Sequence, residues 1–134
     1  MKKIIASIKA RPVNLILMVL VSCLYVLNNT FFKTHTRGAV QYFMICHFND
    51  LICPLFFLAY SNLLLLTVNK ELKRFVWIIL FGLCSGLIWE FFAPVIKPTA
   101  ITDLLDLCFY VLGTILYWVI LRIFPGRRDV NDKA

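Results

Sequence analysis

Four apolar segments, each long enough to cross a membrane, dominate this sequence and limit what it can fold into. They cover residues 13–32, 49–68, 75–95 and 101–124, and polar stretches containing KTHTRG, NKELKR and KPT separate them. A membrane-spanning α-helix needs about 20 mostly apolar residues. The pattern therefore predicts an all-α fold, a polytopic transmembrane bundle of four helices.

Composition argues against a water-soluble domain. Of the 134 residues, 61% are hydrophobic and 16% are charged, and the mean hydropathy is +0.84. A soluble domain usually has about 45–50% apolar and about 25% charged residues. We therefore expect residues 1–134 to form a single integral membrane domain. No A-x-A cleavage site follows the first apolar segment, so we expect that helix to be retained.

The segment GAVQYFMICH, directly before the second span, is too short to cross a membrane by itself. We expect it either to form a short interfacial helix or to extend the second helix outward. In both cases His47, which ends this segment, lies at the outer end of the second helix.

Lysine and arginine are distributed unequally between the two sides of the predicted bundle. Eleven lie in the first 11 residues, in the loop at 69–74 and from residue 122 onward, whereas only Lys33, Arg37 and Lys97 lie on the other side. Because Lys- and Arg-rich loops stay in the cytoplasm, both termini are predicted to be cytoplasmic, in a multi-pass protein of the cytoplasmic membrane. The formal charge of +7 is then a topology signal, and we expect no nucleic-acid partner.

The seven acidic residues fall into two groups. Glu71, Asp129 and Asp132 lie in predicted cytoplasmic segments and are expected to be ordinary solvated charges. The other four acids and one histidine lie toward the outer ends of the second, third and fourth helices: His47, Asp50, Glu90, Asp103 and Asp106. Ionisable residues inside a membrane are costly and usually functional. The convergence of three helices at one depth therefore indicates a site.

Helical spacing predicts that these groups share faces. His47 and Asp50 are three residues apart, and Asp103, Asp106 and Tyr110 form one stripe on the last helix. We therefore predict that the five ionisable residues line one cavity open to the outer leaflet.

Small residues on the third helix support this prediction. Gly82, Gly86 and Glu90 recur at steps of four, and a GxxxG pair allows neighbouring helices to approach closely. Glu90 then points into the bundle with the glycines. On the second helix, Pro54 removes the N–H that would otherwise bond the carbonyl of Asp50, leaving an oxygen that can face a cation or a ligand donor.

The residue types suggest roles for this site. Asp50, Asp103 and Asp106 are predicted to ligate a divalent metal ion, which prefers oxygen ligands. His47 and Glu90 are predicted to transfer protons as catalytic residues. Simpler explanations remain open: His47 as an interfacial hydrogen-bonding residue, Asp103 as a favourable charge at a helix N-terminus, and Glu90 as a wet surface acid.

The order His47, Glu90, Asp103-x-x-Asp106-x-x-x-Tyr110-x-x-Gly113 resembles the VanZ-like family of small bacterial membrane proteins, over about residues 40–120. Tyr110 stands where the family commonly has asparagine. The family's founding member is associated with teicoplanin resistance, so the resemblance implies work in the cell envelope. It supplies no biochemical activity.

Three function classes are compatible with these features. The first is an envelope-lipid protein, either a binding protein or an enzyme, in which a metal ion neutralises the acids and holds a lipid phosphate attracted by nearby basic residues. The second is a proton-coupled transporter, but four spans would require a homo-oligomer, and we expect no polar trail through the cytoplasmic half. The third is a non-catalytic assembly partner with the acids as a structural network.

Overall fold

The computed structural model describes residues 2–96 and 104–126, and within them the chain is helical with no strand. In chain order the helices are α1 (Lys2–Ala10), α2 (Pro12–Leu27), a π-helical segment (Asn28–Phe32), α3 (Lys33–His35), α4 (Gly38–Cys46), α5 (Phe48–Thr67), α6 (Phe75–Ile96) and α7 (Leu104–Ile123).

Four stretches of the described chain are long and apolar enough to span a membrane, as predicted. They are Pro12–His35, Gly38–Thr67, Phe75–Phe92 and Leu105–Ile123. Helices α5 and α6 begin and end within one residue of the predicted second and third spans. The predicted start of the fourth span, at residues 101–103, lies outside the described residues.

The spans alternate in direction, which gives the bundle two ends. Helices α5 and α7 form its centre: α5 packs most extensively against α7 and α2, and α6 packs against α7. We call the end where α4 meets α5 the His47 end, and the end where α1 meets α2 the Arg11 end. Helix α1, which the sequence analysis did not predict, packs against α5 at the Arg11 end.

Local chemistry explains the helix boundaries. Arg11 leaves the helical region at φ −147°, and Pro12 opens α2 at a position where its missing N–H costs nothing. Asn69, with a positive φ of 59°, follows the end of α5, because asparagine tolerates the left-handed conformation that commonly closes a helix. The segment before α5 is a separate helix, α4; its predicted position at the membrane interface stays a prediction.

The glycines allow the close helix packing that was predicted. A Cβ at Gly82 would collide with the side chain of Thr114, and one at Gly86 would lie 2.9 Å from Leu107 Cδ1. On α7, a Cβ at Gly113 would collide with the carbonyl oxygen of Leu51 in α5. Helix α7 is therefore held tightly between α5 and α6, which fixes the depth at which its polar residues lie.

Candidate functional site

His47 lies at the break between α4 and α5. Its backbone N–H donates to the carbonyl of Phe43, and its own carbonyl accepts from the N–H of Leu51. The chain therefore turns only slightly at this residue, and the imidazole projects from the start of α5 into the bundle.

The imidazole of His47 is held on three sides. Its Nδ1 lies 2.8 Å from Oδ1 of Asp106 on α7, and the ring stacks on Phe109 at 4.8 Å and meets Tyr42 edge-on at 5.5 Å. The side chain of His47 is 6% exposed and that of Asp106 is 21% exposed. A carboxylate that orients an imidazole through one ring nitrogen is an arrangement used for proton transfer at the other nitrogen.

Asp50, Glu90 and Tyr110 lie near the His47–Asp106 pair. Asp50 is close enough to interact electrostatically with Asp106, Glu90 and His47. Tyr110, one turn below Asp106 on α7 and 3% exposed, interacts with Asp50, Glu90 and Asp106. The structure thus brings His47 and Asp106 into direct contact and places Asp50 and Glu90 at the same end of the bundle, at the start of α5 and toward the end of α6. The fifth predicted residue, Asp103, lies outside the described residues.

Asn28 and Asn49, which were not singled out from the sequence, hold the start of α5 against the first span. Asn28, in the π-helical segment, is fully buried, and its Nδ2 donates to the carbonyl of Met44 at 2.8 Å and to Oδ1 of Asn49 at 3.0 Å. These bonds tie the first span to both sides of the α4–α5 junction. The available signal was an asparagine inside an apolar segment, where an amide needs a partner.

The predicted metal centre is untested as a set, because Asp103 lies outside the described residues. Among the residues that the structure describes, no three His, Cys, Asp or Glu side chains are grouped so that they could hold a metal ion. His47, Asp50, Glu90 and Asp106 combine three carboxyl groups with one imidazole, so the site has an acidic charge balance. We call these four residues the acidic cluster.

A second polar cluster, at the Arg11 end, was not predicted. Arg11 and Glu71 form an ion pair in which their side chains are only 4% and 7% exposed. The expectation that Glu71 is a solvated charge is therefore wrong: the loop that carries it folds back onto α2. Arg11 also reaches the carbonyls of Leu121 and Phe124 at the end of α7, at 3.4 and 3.5 Å.

Neutral polar groups extend this second cluster into the bundle. Tyr117 Oη donates to Asn14 Oδ1 at 2.9 Å, and Asn62 Nδ2 donates to Tyr117 Oη at 2.6 Å. Asn62 also bonds both the N–H and the carbonyl of Leu72, next to Glu71. The network joins α2, α5, α7 and the α5–α6 loop.

Helix α7 connects the two clusters with buried polar residues. Asp106, Tyr110, Thr114 and Tyr117 recur along its inner face, and the last three are at most 3% exposed. The expectation that no polar trail crosses the half of the bundle away from His47 is therefore wrong. Thr114 and Tyr117 were not singled out from the sequence, because a threonine or a tyrosine alone in an apolar run gives no functional signal.

The comparisons with known proteins add no relative. No protein-family model matches the chain, and neither a curated protein nor a solved structure is significantly similar to it.

Proposed function

We propose that this membrane protein binds the head group of an envelope lipid at the acidic cluster. The observation that carries the proposal is the His47–Asp106 contact at 2.8 Å between the start of α5 and α7, with Asp50 and Glu90 at the same end of the bundle. Leaving such groups inside a bundle of apolar helices is costly unless they have a ligand or a reaction to serve.

The charge balance favours a head group that carries a cation. Three carboxyl groups beside one imidazole repel a bare phosphate and attract an ammonium group. A primary ammonium offers three N–H donors to these oxygens, whereas a quaternary ammonium offers none. The favoured ligand class is therefore a lipid with a primary amine, such as phosphatidylethanolamine. A divalent metal ion that neutralises the acids and holds a phosphate is the alternative kept from the sequence analysis.

The His47–Asp106 pair also allows a reaction at the bound head group. Asp106 orients the imidazole through Nδ1, so Nε2 is the atom that would accept or donate a proton. Glu90, from α6, is the second candidate for proton transfer. No residue in the described part identifies the bond that would be broken or formed.

Lipid selectivity tests the proposal. Purified protein is exposed to phosphatidylethanolamine or phosphatidylcholine, and retained lipid is measured by native mass spectrometry. We expect phosphatidylethanolamine to be preferred, and we expect Asp50→Asn and Asp106→Asn to abolish that preference without loss of folded protein. Equal retention of the two lipids by the wild type would contradict the proposal, and a gain of phosphate binding on addition of Mg²⁺ would favour the metal alternative.

The VanZ-like relationship is part of this proposal. Its support is that two residues of the motif, His47 and Asp106, come from separate helices and meet in the fold. We further propose that the acidic cluster faces the outer leaflet, with both termini in the cytoplasm, on the distribution of Lys and Arg.

A proton-coupled carrier is the second candidate, and the polar face of α7 favours it. Buried acids and hydroxyl groups are the components of proton relays, and this face connects both ends of the bundle. Proton flux into liposomes loaded with a pH indicator tests it. A potential-driven proton flux that Tyr117→Phe or Asp106→Asn abolishes would support a carrier. The absence of proton flux through the wild-type protein would contradict the carrier and favour the lipid proposal.

A further inference from the structure

A cleft at the Arg11 end of the bundle is separate from the acidic cluster. It has a volume of about 440 Å³ and is lined by Glu71, Leu72, Lys73, Arg74 and Trp77. Because α5 ends at Thr67 and α6 begins at Phe75, the cleft lies where the apolar spans start. This position at the end of two candidate spans predicts that the cleft lies at the level where lipid head groups meet water.

The cleft has an excess of positive charge. Its acid, Glu71, already pairs with buried Arg11, and Lys73 Nζ lies 3.3 Å from Glu71 Oε2. Arg11, Lys73 and Arg74 thus carry three positive charges, and Glu71 carries the one negative charge among them. Lys73 and Arg74 are both exposed, so the positive charge reaches the surface. The N-terminus of α6, whose dipole is positive, begins beside them.

The apolar surroundings fit a lipid better than a soluble anion. Trp77, in the first turn of α6, is 55% exposed, and tryptophan concentrates at the boundary between head groups and acyl chains. Val76 and Leu80 expose 71% and 47% of their surface on the same helix. An anion seated between the basic residues would thus have apolar surface running away from it into the membrane.

We propose that this cleft binds the phosphodiester of an anionic phospholipid, with Lys73 and Arg74 on the phosphate, Trp77 beside the glycerol and an acyl chain along the exposed side of α6. Basic pockets between transmembrane helices bind anionic head groups in this way. The proposal does not depend on the lipid proposed for the acidic cluster, because the two sites have opposite charge and lie at opposite ends of the bundle.

Native mass spectrometry with phosphatidylglycerol and phosphatidylcholine tests the cleft. We expect the wild type to retain phosphatidylglycerol preferentially, and Lys73→Gln/Arg74→Gln to reduce that preference by about fivefold for each charge removed. The matched control, Lys33→Gln/Arg37→Gln, removes two basic residues at the His47 end and is expected to keep it. Arg74→Gln alone serves if the loss of the Lys73–Glu71 contact unfolds the protein.

Three results would overturn the proposal: no preference for phosphatidylglycerol in the wild type, an equal loss in the control variant, or displacement of the lipid by millimolar inorganic phosphate. The first two would exclude a specific lipid site at the cleft, and the third would make it a site for a soluble anion. Lys73→Arg/Arg74→Lys, which preserves charge, is expected to retain the preference. Failure of the ethanolamine preference would leave these outcomes unchanged, so the two proposals fail separately.

Discussion

His47 illustrates how neighbouring residues in the fold orient a single side chain. Alone at the end of an apolar helix it would be an interfacial side chain. In the fold, Asp106 fixes Nδ1 and the rings of Phe109 and Tyr42 restrict rotation. Asp106 and Phe109 lie on α7, and Tyr42 lies on α4. Because these residues meet His47 only in the folded bundle, the tertiary structure is what orients the imidazole.

The orientation of this imidazole can be measured directly. Because Asp106 accepts from Nδ1, we expect neutral His47 to carry its proton on Nδ1 and to lose that bias in Asp106→Asn. The protein has only two histidines, so ¹⁵N spectra of histidine-labelled protein contain two imidazoles, with exposed His35 as the internal reference. Unchanged ¹⁵N shifts of His47 in Asp106→Asn would refute the pair.

Arg11 is the residue whose loss is expected to cost most at the other end. Arg11→Gln leaves Glu71 buried without its partner, and breaking a buried ion pair in this way typically destabilises a protein by about 3–5 kcal/mol. We expect a large fall in the thermal midpoint in detergent. Lys9→Gln removes the same charge from an exposed position on α1 and is expected to change the midpoint little. Equal midpoints for the two variants would show that the Arg11–Glu71 pair contributes little.

At the scale of the helices, hydropathy predicted the spans well and their irregularities poorly. The ends of α5 and α6 were predicted closely because apolar runs stop at charged loops. Helix α1 was not predicted because nine residues with three lysines do not resemble a membrane span. The π-helical segment at Asn28 was not predicted because Asn28 bonds Met44 and Asn49, which lie on other helices. Length and polarity are local properties, whereas helix irregularity depends on a tertiary partner.

The packing of α6 on α7 gives a prediction at the same scale. Gly86→Leu would force carbon atoms into Leu107 and Tyr110, whose atoms already lie 2.9–3.3 Å from a Cβ at this position. Overpacking costs about 1–3 kcal/mol, so we expect a lower thermal midpoint and less folded protein. Cys84→Leu adds bulk to the same helix at an exposed position and is the control. A wild-type midpoint for Gly86→Leu would mean that the two helices separate easily.

For the whole molecule, the contact between His47 and Asp106 was predictable and the Arg11 end was not. Acids within apolar segments are conspicuous, and helical spacing with alternating spans was enough to place His47 and Asp106 together. Glu71 lies in a loop of charged residues, where solvation is the ordinary expectation, and nothing local indicates that Arg11 covers it. Its burial depends on α1 and α2 meeting at a corner beside the α5–α6 loop, which only the assembled fold defines.

The orientation of the bundle determines which leaflet each site meets. The acidic cluster and the basic cleft lie at opposite ends, so a single topology places the proposed amine site in one leaflet and the proposed anion site in the other. In the proposed orientation, with both termini cytoplasmic, the acidic cluster faces outward and the cleft faces the cytoplasmic leaflet, whose surface potential is negative. The positive-inside distribution and the proposed ligand of the cleft thus favour the same orientation.

Cysteine labelling tests that orientation. In a background in which all five native cysteines are alanine, Thr36→Cys lies between the first and second spans and Asn131→Cys lies in the C-terminal segment. We expect a membrane-impermeant maleimide to label Thr36→Cys on intact cells and to label Asn131→Cys only after permeabilisation, because Lys and Arg retain their segments in the cytoplasm. The reverse pattern would place the acidic cluster in the cytoplasmic leaflet. An outer-leaflet lipid could then no longer be its ligand, although both clusters would keep their internal contacts.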